Sequence, residues 1–104
     1  MPYIDPKRRE IVKADPSLVS DYGELNYIIT LNLIDRWKQK PRYETMHVLR
    51  RDKERIIMEI SEVVSHKFTF LDLRAAFDEA LAEFRERVIK PYEEHKREQN
   101  GDVY

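Results

Sequence analysis

The chain has 104 residues, with 19 basic and 20 acidic side chains and a net charge of -1. That length fits one domain with a modest core, and the charge balance gives no global case for binding nucleic acid or an anionic membrane. Hydrophobic residues make up 41%, too many for a disordered chain, and two glycines are too few for the tight turns of a many-stranded sheet. The absence of cysteine excludes disulfides, thiolate metal sites and thiol nucleophiles, and fits a reducing cytosol.

"MPYIDPKRRE" carries no apolar core of signal-peptide length, and no apolar run approaches the ~20 residues that span a bilayer. The expectation is therefore a soluble intracellular protein of one domain, 1–104. "DPKRREIVKAD" predicts a short first helix, with Asp5 as N-cap, Pro6 at the first helical position and Pro16 as its stop. "DPSLVSDYGELNY" then reads as a turn-rich connector.

A second helix is predicted over about 23–38. Leu25, Ile28, Ile29, Leu31, Leu33, Ile34 and Trp37 cover more than one stripe of it, so it is either central in the fold or buried at an interface. Pro41 ends the pattern. A third helix is predicted over about 42–66, seamed by Ile56, Ile57, Ile60, Val63 and Val64. "RRDKER" (50–55) is either its solvated middle or a break between two shorter helices.

The fourth helix starts near Thr69, an N-cap with Asp72 three residues on. Phe70, Leu73, Phe77, Ala80, Leu81, Phe84 and Val88 form its seam, and Pro91 should kink or restart it. Residues 92–99 are polar on nearly every face, and Asn100-Gly101 reads as a C-cap. The fold class expected is all-α: a small bundle of three main helices plus a short first one, with a seam rich enough to favour oligomers.

Few residues point to chemistry. His47, His66 and His95 form no metal-ligand pair, and His66 fits a helix C-terminus. Glu59 and Glu62, with Glu79 and Glu83, offer the helical carboxylates a Mg-dependent nucleotide hydrolase would need. They sit mainly opposite the apolar seam, and Glu83 has Arg87 one turn on, as solvated faces do. "HVLRRDKER" is a solvated face or a local anion site. With no P-loop and no nucleophile elbow, the expectation is a non-enzymatic protein that needs no cofactor and no metal.

Two stretches stand out. "YGELNYIIT" (22–30) places Glu24, Asn26, Tyr27 and Thr30 in the first turns of a helix, where free N–H groups favour anions and a tyrosine can stack on a base. "PYEEHKREQNGDVY" ends on a carboxylate, a β-branched residue and an aromatic, which a frayed tail does not need. Tyr92, Lys96, Asn100, Asp102 and Tyr104 are its candidate ligand-binding residues.

The opening "MPYI", "GELNY" with "IT" after it, and the close "PYEEHK" with "NGDVY" resemble an uncharacterised family of small phage and prophage proteins. The stretch 40–68 departs from that pattern. The resemblance implies a viral or prophage origin, the cytoplasm of a bacterial host, and a tail that folds back so that "GELNY" and "NGDVY" share a site. The leading expectation is an anti-defence protein that sequesters a nucleotide-type immune signal between subunits. The alternative is an inhibitor or adaptor that grips a host protein.

Overall fold

The computed structural model describes residues 4–39 and 45–100, and these are helical almost throughout, with no strand among them. The helices are α1 (Pro6–Ala14), α2 (Tyr22–Gln39), α3 (Thr45–Arg51), α4 (Lys53–Val63), α5 (Phe70–Phe84) and α6 (Lys90–Asn100). A single 3-10 turn (Pro16–Leu18) joins α1 to α2, and a π-helical turn (Arg85–Ile89) joins α5 to α6. The expected all-α fold is what the chain adopts.

Local signals set most of the boundaries. Asp5 caps α1 by accepting from the Lys7 N–H at 2.8 Å, with Pro6 at the first position. Thr69 and Asp72 form a reciprocal capping box that starts α5. Of the two readings of the stretch 42–66, the break is the one adopted among the described residues: α3 ends at Arg51, and α4 begins after Asp52. Arg55 at 3.0 Å and Arg51 at 3.3 Å both pair with the Asp52 carboxylate, which holds the break. The stretch around Pro41 lies outside the described residues.

α4 ends in a turn that has Ser65 and His66 at positive φ, 60° and 57°. The His66 N–H reaches back to the Ser61 carbonyl at 2.9 Å, and its Nδ1 lies 3.1 Å from the buried Ser61 hydroxyl. Those bonds hold two non-glycine residues in a left-handed conformation that costs each about 1–2 kcal/mol.

Pro91 has no N–H and cannot close an α-helical turn onto Arg87. The chain answers with the π turn, in which the Lys90 N–H bonds the Arg85 carbonyl. The helix therefore continues instead of stopping. From Phe70 to Asn100, at about 1.5 Å per residue, it spans about 46 Å, which matches the longest molecular extent of 48 Å.

α2 is central among the described helices, with Leu31, Ile34 and Trp37 of its apolar pattern only partly buried. Leu25, Ile28, Ile29 and Leu33 are buried, and α1, α5 and an Arg36–Glu59 ion pair to α4 surround it. α5 runs parallel to α2. Asn26 meets Glu79 near the start of α2, and Trp37 meets Phe84 and Tyr92 near its end. α4 is antiparallel to α5, fixed by Arg74 on Glu54 and by Lys53 on Asp78. Phe77, Phe84, Ile56, Ile60 and Leu73 fill the space between.

Two residues on α5 test this register. Phe77 is fully buried and Leu71 is 76% exposed. Phe77→Ala should cost about 3–5 kcal/mol, whereas Leu71→Ser should change stability by less than about 0.5 kcal/mol. Urea unfolding midpoints check both.

Candidate functional site

α1 packs on α2 and is held there by an ion pair. Arg8 donates from Nε and Nη2 to both oxygens of Glu24, at 2.7 and 2.8 Å. The Ser20 N–H and hydroxyl also donate to that carboxylate, at 2.9 and 3.1 Å. Glu24 is buried and fully engaged. The Arg8 guanidinium, then the Ser20 donors, hold its carboxyl at about 2, well below the ordinary 4.5, against the opposing effect of burial. Of the candidate residues, Glu24 therefore anchors α1 to α2.

This anchoring leaves a cleft between α1, the first half of α2 and the end of α5, with a cavity of about 350 Å³. Asn26, Tyr27 and Thr30, three of the residues expected to bind a ligand, line it together. Ile4, Leu31 and Ile34 supply apolar wall, and Gly23, Arg9, Glu83 and Arg87 also line it. Gly23 has no Cβ to fill the space beside Asn26.

The polar groups are held in different ways. The buried Asn26 amide donates to Glu79 at 3.4 Å, and the Thr30 hydroxyl donates to the Asn26 carbonyl at 2.8 Å. Arg87 donates to Glu83 at 2.6 Å, the one-turn pair expected of a solvated face, here on the wall of a cavity. Arg9 is exposed and has no ion-pair partner among the described residues. Burial, with the Glu79 carboxylate nearby, pushes the Tyr22 phenol above its ordinary value.

The second group of candidates sits elsewhere. Tyr92 packs edge-on against Trp37 with ring centroids 4.9 Å apart, and Lys96 places its Nζ 5.8 Å from the Tyr92 ring. Tyr92 thus sits beside the last turns of α2, and Lys96 lies one turn further along α6. Asn100 ends α6, and Asp102 and Tyr104 lie outside the described residues. From the level of Glu79, beside Asn26, the helix climbs about 30 Å to Asn100. The two stretches "GELNY" and "PYEEHKREQN" are therefore held apart within one chain.

Sequence reasoning missed Arg9, Glu83, Arg87 and Ile4 as lining residues. The Glu83–Arg87 spacing was visible, but which side of α5 faces α2 depends on the parallel packing. Among the described residues, no group of three or more His, Asp or Glu side chains is placed to hold a metal ion. Glu59 pairs with Arg36, Glu79 takes the Asn26 amide, and Glu83 holds Arg87. No helix of the described residues is long and apolar enough to cross a membrane.

The fold and the cleft define a small all-α protein with an open amphipathic cavity among the described residues. The chain belongs to the family of a domain of unknown function, DUF6899, whose model matches residues 1–103. That span includes 40–68, the stretch expected to depart from the family pattern. No curated protein and no solved structure matches the chain.

The Glu24 anchor has a pH signature. Its depressed carboxyl contributes stability above the ordinary value of 4.5, and that contribution is lost as pH falls from there toward about 2. Glu24→Gln should lower stability by about 1–3 kcal/mol at pH 7, and the two proteins should converge near pH 2. Urea melts at pH 7, 4 and 2.5 read both effects; a gap that stays constant with pH would contradict the assignment.

Proposed function

We propose that the protein is a non-enzymatic binding protein whose α1–α2–α5 cleft holds a small anion with a planar ring, of the nucleotide class. One observation carries this reading: Asn26, Tyr27 and Thr30 line a single cavity together with Arg9, which has no ion-pair partner among the described residues. Tyr27 supplies a face for stacking, Asn26 and Thr30 supply polar edges, and Arg9 meets the anion. A cavity of about 350 Å³ is at the lower end of the roughly 300–1,000 Å³ usual for small-molecule sites. Its size favours a ligand near a mononucleotide in bulk.

The resemblance to small phage and prophage proteins gives this binding a setting in the host cytoplasm. A viral protein that holds a nucleotide-type immune signal, without converting it, withholds the signal from its receptor. A host protein as partner is the second reading. It is favoured by Phe70 and Leu71, 46% and 76% exposed on the first turn of α5.

Calorimetric titration with mononucleotides, cyclic nucleotides and ADP-ribose-type compounds tests the proposal. At least one should bind saturably, and Tyr27→Ala and Arg9→Ala should each weaken it by about tenfold or more. Arg9→Ala, at an exposed position, should keep the wild-type melting temperature, whereas Tyr27→Ala should lower it, because Tyr27 packs against the core. Absence of binding across the panel at millimolar ligand, or unchanged affinity in both variants, would overturn it.

A further inference from the structure

The polar wall of the cavity is sorted by the bonds that its residues already make. The Asn26 amide faces the Glu79 carboxylate, and a carboxylate has no proton to give. The amide therefore turns its Nδ2 toward Glu79, at 3.4 Å, and its Oδ1 away. The Thr30 hydroxyl spends its hydrogen on the Asn26 backbone carbonyl at 2.8 Å, so only lone pairs are left on its oxygen. Glu83, on the same cavity, accepts from Arg87 and has no donor either.

Among the described residues, no buried side-chain nitrogen or oxygen is without a hydrogen-bond partner. Asn26 is buried, yet its Oδ1 takes no bond from the described residues. That oxygen is therefore not sealed in the core, and it opens on the cavity that Asn26 lines. Asn26 and Thr30 stand one turn apart on the same face of α2, with their Cβ atoms about 6 Å apart. The side-chain donors of the lining are elsewhere: the Tyr27 phenol and the guanidinium groups of Arg9 and Arg87.

We infer that this wall reads an amino group: Asn26 Oδ1 accepts from the exocyclic amine of an aminopurine or aminopyrimidine ring, and Thr30 and Glu83 add acceptors to the same wall. The inference rests on the binding reading and narrows its ligand to nucleotides whose base carries an amine. Glu79 is a positioning residue, which sets the direction of the amide through Asn26. A ring with a carbonyl in place of the amine brings oxygen against oxygen. Its ring N–H lies next to that carbonyl, so pointing the N–H at Oδ1 brings the carbonyl to the same acceptor wall. An acceptor left facing an acceptor weakens binding.

Calorimetric titration with matched monophosphates tests it: AMP against IMP and purine riboside monophosphate, and CMP against UMP. AMP or CMP should bind saturably, and about tenfold or more tightly than its partners. Glu79→Gln, at an exposed position, lets Asn26 present either end, because a glutamine amide both donates and accepts. The preference should then fall severalfold toward equality. Asn26→Leu removes the acceptor and should abolish the preference. Circular dichroism checks that both variants fold, and Glu79→Gln decides alone where Asn26→Leu does not.

Equal affinity within both sets, tighter binding of the oxo member, or a full preference retained in Glu79→Gln would each overturn the inference and leave the binding reading intact. Absence of saturable binding by every one of these monophosphates at millimolar concentration would also overturn it. The binding reading itself falls only if the cyclic and ADP-ribose-type nucleotides fail as well.

Discussion

The parallel packing of α2 against α5 is the constraint on which the rest of the molecule depends. Parallel helices in one chain require a long return connection, and here α3 and α4 supply it. α4 runs back along α5, and the turn at Ser65 and His66 reverses the chain into the Thr69 capping box. Because α2 and α5 point the same way, the described residues after Phe84 run along and beyond the last turns of α2 instead of over its beginning. Trp37 marks the crossing, edge-on to both Phe84 and Tyr92.

The cleft follows from the same constraint. α1 is pulled across the start of α2 by Arg8 on the buried Glu24, and α5 lies on another side of α2. The groove between α1 and α5 is floored by Asn26, Tyr27, Thr30, Leu31 and Ile34. Glu24 thus shapes the site without entering it. Its four bonds from Arg8 and Ser20 satisfy the carboxylate, so the charge costs little to bury and Arg9 is left to line the cavity. A cavity with an unpartnered cation, polar edges and an aromatic face is suited to binding, whereas every nearby carboxylate is already engaged.

Local chemistry made much of the fold legible. Asp5 with Pro6, and Thr69 with Asp72, mark helix starts that the structure places at those residues. The many-sided apolar pattern of α2 pointed to a central or interface helix, and Leu25, Ile28, Ile29 and Leu33 are buried while Leu31 and Ile34 line the cleft. The break at Asp52 stayed open because a charged run suits both a solvated helix and an interruption. Pro91 announced a disturbance, but the π turn that absorbs it depends on helix continuity across the site. The candidate site was legible only on its α2 side. Arg9 and Arg87 have ordinary surface patterns in sequence, and they become cavity residues only through tertiary packing. Glu24 had the composition of a ligand contact, and its real partner lies sixteen residues back.

The most direct test of this architecture is a distance within one chain. The sequence has no cysteine, so single cysteines at the exposed Lys7 and Gln99 can be spin-labelled without competition. Doubly labelled chains, diluted into a large excess of unlabelled protein, report the intrachain separation by pulsed electron resonance. The parallel arrangement predicts a narrow distribution at about 30 Å or more. A principal distance below about 20 Å would mean that α6 folds back beside α1, and would contradict it.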